Sequence, residues 1–204
     1  MLMLTEHAGL GRALAEAYLS RPNHTVVAGV RDVNSAMAAS LKDVPTAQGS
    51  SVMLVRLNST SDTDTHEAVE AMQAAGINHL DIVIANAGIA GAYSRIESLE
   101  LGDMREMFEV NTLSVVKLFQ AVHPLLKKTA EKRGRGVPKF IAVSSQAASI
   151  HDLDDNVPWL LCSYGVSKCA VNYIVRRAHF ENDWLTAFVV DPGYVGESPL
   201  YTVA

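Results

Sequence analysis

The chain has 204 residues, 49% of them hydrophobic and 19% charged, which is enough apolar material for a sizeable core and a length suited to one domain. A formal charge of -5 argues against a nucleic-acid binder that works by phosphate neutralisation, and no apolar stretch reaches the ~18 residues of a membrane span. The only cysteines, Cys162 and Cys169, form no Cys-x-x-Cys pair and no histidine cluster has ligand spacing, so no metal site is expected and a reducing, cytoplasmic setting is.

In chain order, residues 1–4 give at most a short first strand, too brief for the apolar core of a signal peptide. A helical pattern over residues 11–20 follows, then a strand at 25–30, a short helix near 35–42, a strand at 52–57 and a helix over 62–75. Next come a strand at 80–85, a long helix from about 104 to 128, a strand at 140–143, a helix over 163–181 and a strand at 187–190. The strands are short runs rich in Val and Ile, as expected when both faces of a parallel sheet are covered. Strict alternation with helices predicts an α/β fold of the doubly wound, Rossmann-like kind, in three layers and a single domain over residues 1–204. The cations Lys127, Lys128, Lys132, Arg133 and Arg135 fit the negative end of the long helix and the loop after it better than a nucleic-acid patch.

In such a fold ligands sit at the carboxyl ends of the strands. Gly9-Leu10-Gly11 opens the first helix, where glycine lets a phosphate approach backbone N–H groups. Arg31 follows a strand directly, the place where an arginine pairs with a 2′-phosphate and an acid accepts from a ribose hydroxyl; the adjacent Asp32 pulls the other way. Asn86-Ala87-Gly88 leaves the strand at 80–85 with little side-chain bulk. Asn111 lies inside the long helix, where its amide can bond the backbone and leave a carbonyl to hold a water. Ser144 and Ser145 end another strand, bringing a hydroxyl to the same sheet edge. Tyr164 and Lys168 stand one helical turn apart, so they share a face, and an ammonium beside a phenol favours its ionised form. Taken singly, each of these also reads as an ordinary turn, cap or surface residue.

Together, and in this order with Asp191-Pro192-Gly193, they resemble the short-chain dehydrogenases/reductases over nearly the whole chain. Residues 85–89, 108–111 and 188–195 look most like fungal ketoreductases similar to norsolorinic acid ketoreductase, and the related carbonyl reductases. That resemblance implies an NADP-dependent (NADPH) ketoreductase of secondary metabolism acting on a ketone or alcohol, aromatic polyketide-type ketones among them. It makes Tyr164 the general acid, Lys168 its partner, Ser145 the carbonyl anchor and Asn111 the holder of a relay water. Cofactor contacts are implied at Gly9, Leu10, Gly11, Arg31, Asn58, Asn86, Ala87 and Gly88, again at Asn111, Tyr164 and Lys168, and at Pro192, Gly193 and Val195. No metal, nucleic acid or membrane is implied, and assembly into homo-oligomers is left open.

The chain also departs from the family. Where relatives begin the phosphate loop with Thr-Gly it has Leu4 and Thr5, followed by the acidic Glu6, and where they carry a threonine after Val195 it has Glu197 and ends at Ala204. Both ends read as truncated, so a second reading stands beside the first: a catalytically impaired dinucleotide-binding or partner-interaction relative. The segment 150–161, between Ser145 and Tyr164, is longer than in the shortest relatives and either shapes a substrate mouth or is a solvated turn.

Overall fold

The computed structural model describes residues 2–4, 9–156 and 160–193. Its strands are β1 (Leu2–Leu4), β2 (Thr25–Val30), β3 (Ser51–Arg56), β4 (Ile82–Ala85), β5 (Lys139–Val143) and β6 (Thr186–Val190), in one wholly parallel sheet of order β3-β2-β1-β4-β5-β6. The order reverses between β1 and β4, which places the chain leaving those two strands on either side of the switch point.

Strand side chains alternate between the two faces, and the core follows that period. On one face Val27, Val55, Val83 and Phe140 pack with Leu118, Leu125, Val171 and Val175. These last four come from the helices α5 (Ser114–Arg133) and α7 (Cys162–Glu181). On the other face Val26, Ala28 and Ile84 meet Ala15 and Leu19 of α1 (Leu10–Leu19) and Leu41 of the turn after α2 (Ala36–Ala39). Burying one such large apolar side chain contributes about 1.5–3 kcal/mol, so the two clusters hold helices to both faces. The helix α3 (Asp64–Ala74) adds Ala68 and Met72 to the first cluster, completing three layers. No helix among the described residues is long and apolar enough to cross a membrane.

The strand predictions hold to within two residues, but the long helix differs. It starts earlier, as α4 (Leu101–Met107), passes through a π-helical turn (Phe108–Leu113), and continues as α5 to Arg133. The wider turn adds a residue to one circuit of the backbone, and such turns concentrate at functional sites. Gly134, at φ 108°, ends α5, and Arg133 pairs with Asp81 at 2.8 Å, so the basic run does lie at a helix C-terminus.

Candidate active site

The buried side of α7 changes character along its length. Ser163, Ser167 and Lys168 are buried in its first half, and Val171, Val175 and Ala178 in its second. The polar half lies against the carboxyl end of the sheet. Lys168 is only 4% exposed, its Nζ donates to the Val143 carbonyl at 2.8 Å, and the same nitrogen lies 5.8 Å from the centre of the Tyr164 ring. Burial pushes its ammonium down to about 8, because removing a charge from water favours the neutral form. Tyr164, one turn earlier, is half-buried.

Asn111 is completely buried inside the π-helical turn. Its side-chain oxygen accepts from the Ile89 N–H at 2.8 Å, and its Nδ2 donates to the Ile89 carbonyl at 2.9 Å and to Ser167 Oγ at 3.0 Å. Ser167 Oγ in turn donates to the Tyr164 carbonyl at 2.7 Å, and Thr112 Oγ1 donates to the Ser167 carbonyl at 3.0 Å. The predicted backbone bonding of Asn111 is therefore present, and it clamps the stretch that follows Asn86, Ala87 and Gly88. Gly88 approaches closely: a Cβ there would stand 3.1 Å from both Asn111 Oδ1 and Lys168 Nζ.

Ser145 follows the end of β5 in an extended conformation and caps a single 3-10 turn (Gln146–Ala148). Its Oγ accepts from the Ala147 N–H at 3.2 Å, which leaves the hydroxyl proton free to be donated elsewhere. This turn packs on α7 through Gly165, where a Cβ would lie 2.7 Å from the Ala147 carbonyl oxygen. The turn that Ser145 caps is thereby carried against α7 at the residue after Tyr164. The loop beyond it forms a short α6 (Leu153–Asn156) and then meets a second loop, with the Ser94 N–H donating to the Leu160 carbonyl at 3.0 Å. Tyr93, Ile150, Leu153 and Leu160 are exposed on these two loops.

The other predicted residues lie across the switch point. Gly9 caps α1 at φ 76°, a backbone state that glycine adopts without strain, and among the described residues no side chain caps the N–H groups of the first turn; Leu10 and the buried Gly11 complete it. Arg31 is exposed just beyond β2. Asp32 turns its carboxylate back onto its own loop, accepting from the Asn34 N–H at 2.9 Å. Asn58 follows the neighbouring β3, its side-chain oxygen accepting from the Thr60 N–H at 3.2 Å and its own N–H donating to Asp64 at 2.9 Å. Burial would raise the Asp64 carboxyl, but the Ser61 hydroxyl, the Asn58 N–H and Arg56 outweigh it and hold the group below its ordinary value. Pro192 and Gly193 are exposed beyond β6, with the Gly193 N–H donating to Asp191 at 3.0 Å. Val195, Glu6 and Glu197 lie outside the described residues.

A sequence model of short chain dehydrogenases matches residues 1–201. The chain belongs to the short-chain dehydrogenase family. It is 43% identical over 188 residues to norsolorinic acid ketoreductase nor1 of Dothistroma septosporum, covering 92% of this chain and 68% of that protein. It is 42% identical over 193 residues to short-chain dehydrogenase srdF of Neurospora crassa, covering 94% and 74%. Among solved structures, the putative carbonyl reductase Sniffer of Caenorhabditis elegans superimposes with a TM-score of 0.81 at 26% identity, over 97% of this chain and 84% of that one. The NADPH-bound carbonyl reductase from chicken fatty liver gives 0.77 at 28%, over 93% and 77%.

For this short-chain dehydrogenase, the motif reading located the residues that converge at the start of α7 but passed over three that hold them there. Ser167 links Asn111 to Tyr164, Gly165 permits the approach of the Ser145 turn, and Asn172 accepts from Ser144 at 2.6 Å. The available signal was helical spacing: Tyr164, Lys168 and Asn172 recur every four residues and share one face.

Proposed function

We propose that the chain is an NADP-dependent ketoreductase in which Tyr164 gives a proton to the carbonyl oxygen of the substrate while the carbonyl carbon is reduced. The observation that carries this reading is the setting of Lys168: a nearly fully buried ammonium beside the Tyr164 ring, bonded to the strand end that leads into Ser145 and approached by Gly88. A cation so poorly solvated acts strongly on a neighbouring hydroxyl and favours release of its proton.

The residues present fit a dinucleotide. The positive φ of Gly9 and the N–H groups of the first turn of α1 form an anion-accepting end, and the bare Gly88 leaves room where a Cβ would crowd Lys168. Gly9, Leu10 and Gly11 would hold the pyrophosphate, Asn58 the adenine end, Asn86, Ala87 and Gly88 the middle, and Pro192, Gly193 and Val195 the nicotinamide end. Arg31 would pair with a 2′-phosphate; Asp32, with its carboxylate engaged by the Asn34 N–H, is not turned to compete for a ribose hydroxyl. Bound there, the reduced nicotinamide supplies the hydride.

Ser145 would donate its free hydroxyl proton to the substrate oxygen and anchor it beside Tyr164. Lys168 would hold the ribose and sustain the acidity of Tyr164. The Asn111 side-chain oxygen accepts from the Ile89 N–H, so a relay water would be held by its remaining lone pair or by a backbone carbonyl of the π-helical turn. Exposed Tyr93, Ile150, Leu153 and Leu160 beyond Ser145 favour an apolar, aromatic ketone, as the named activity of the norsolorinic acid ketoreductase relatives also suggests.

The test is a fluorescence titration of the purified chain with NADPH and NADH, followed by NADPH oxidation in the presence of a polycyclic aromatic ketone. Saturable binding, tighter for NADPH, with ketone-dependent oxidation is expected. Binding without turnover across a ketone panel overturns the reductase reading in favour of a dinucleotide-binding relative, and no binding overturns both.

A further inference from the structure

We propose that Asn172 is a positioning residue that fixes the carboxyl end of β5, and with it Ser145, against Tyr164 and Lys168; its catalytic consequence rests on the reductase reading above. Lys168 and Asn172 occupy successive turns of one face of α7. Each grips one of two successive residues of the strand end. Lys168 Nζ donates to the Val143 carbonyl at 2.8 Å, and the Ser144 hydroxyl donates to Asn172 Oδ1 at 2.6 Å. Ser144 is 4% exposed, so its hydroxyl has no ready exchange with water, and its N–H is committed to the Val190 carbonyl at 2.7 Å.

Removing the Asn172 oxygen therefore leaves a buried donor without an acceptor, a state relieved by moving the strand end. Ser145 is the next residue, its Cα about 3.8 Å along the chain, and its Oγ and carbonyl accept from the Ala147 and Ala148 N–H groups. A shift at Ser144 is thus transmitted to the hydroxyl that would anchor the substrate. The Lys168 contact is a single charged bond to a carbonyl and allows rotation about it. The Ser144 N–H bond to Val190 holds the strand end to its neighbour in the sheet, and the Asn172 bond adds the point that ties the side-chain side of Ser144 to α7.

A purely structural role for Asn172 predicts lost stability only, so the experiment separates placement from stability. Asn172→Leu keeps the side-chain shape without the acceptor, Asn172→Asp keeps an acceptor oxygen, and Ser144→Ala removes the donor without leaving it orphaned. Amide hydrogen exchange at Ala147 and Ala148 is measured in each at a temperature well below unfolding, together with kcat and KM for NADPH-dependent ketone reduction. Asn172→Leu is expected to speed exchange at those two amides about tenfold or more and to lower kcat about tenfold, with KM for NADPH within about twofold. Ser144→Ala should show the same pattern to a smaller degree, and Asn172→Asp should restore both readouts to within about twofold of the parent.

Unchanged exchange and kcat in Asn172→Leu, with only a lower melting temperature, overturns the proposal, as does an Asp variant that fails like Leu. If Asn172→Leu does not fold, unchanged exchange in Ser144→Ala overturns it alone. A parent chain inert towards ketones sinks the reductase reading, while the exchange measurement still decides whether Asn172 holds the strand end.

Discussion

The two halves of the sheet present their candidate residues by different means. On the β4, β5 and α7 side, Asn111, Ser144, Lys168 and Asn172, the first three of them buried, are anchored by side-chain hydrogen bonds, several of which link elements far apart in sequence. On the β2 and β3 side, Arg31 is exposed, Asn58 folds back on its own loop, and Gly9 contributes only its backbone. Proton transfer needs atoms held to a fraction of an ångström, whereas a charged phosphate is gripped adequately by exposed groups and N–H dipoles. The crowded half should therefore tolerate substitution badly and the open half well.

The largest effect expected on the crowded side is from Tyr164→Phe, which keeps the ring and deletes the proton. Its kcat for ketone reduction should fall about 10³-fold, with NADPH affinity within about threefold by fluorescence titration. Retained turnover would remove Tyr164 as the acid.

Lys168 gives the next effect, through pH. Its pKa is lowered by burial from 10.5 to about 8, so below pH 8 both folded and unfolded chains carry the proton and the full burial penalty is present. Between about 8 and 10.5 the unfolded chain binds more protons, so stability rises with pH, by about 3 kcal/mol in all. Lys168→Met should lack this rise, which urea unfolding of both chains from pH 7 to 10.5 would detect. A stability difference independent of pH would mean that the ammonium is well solvated.

Gly165→Ala should come third. Its added methyl would meet the Ala147 carbonyl at 2.7 Å, so the turn bearing Ser145 must move; kcat should fall about 10- to 100-fold and stability by about 1–3 kcal/mol. Wild-type kcat in this variant would show that the turn yields without disturbing Ser145. The smallest effect belongs to the open side: Arg31→Ala should lower the preference for NADPH over NADH about tenfold and leave kcat with saturating cofactor within about twofold. An unchanged cofactor ratio would make Arg31 an ordinary surface residue.

Much of this was legible before any coordinates. The strands stood out because runs such as VMLVRL and LDIVIA have no other economical use than a sheet covered on both faces, and β3 and β4 fall within two residues of their predicted ends. Tyr164, Lys168, Asn111 and Ser145 could be picked out because together, and in this order, they resemble the motifs of the short-chain dehydrogenases; strand ends and helical spacing alone left each with an ordinary reading. The π-helical turn could not, since one extra residue in a circuit leaves apolar spacing too irregular to separate from a plain helix. Gly165 and Asn172 escaped for another reason. Their importance lies in what packs opposite, Ala147 and Ser144, and helical periodicity names a face without naming its neighbour.

The wide turn at Phe108–Leu113 also bears on how such a protein can change over generations. Exchanging one side chain for another leaves the count of residues intact, so the widened circuit survives most substitutions. A one-residue deletion within it would let the helix close into regular winding and leave the face of α5 nearly in register, because the widened circuit is what absorbs the extra residue. What would change is the widened circuit itself, from which Asn111 reaches Ile89 and Ser167. Loss of this site is thus more readily reached by a change in length than by a change in letter, and an intact residue count between Leu101 and Arg133 is the feature to check first in any related chain.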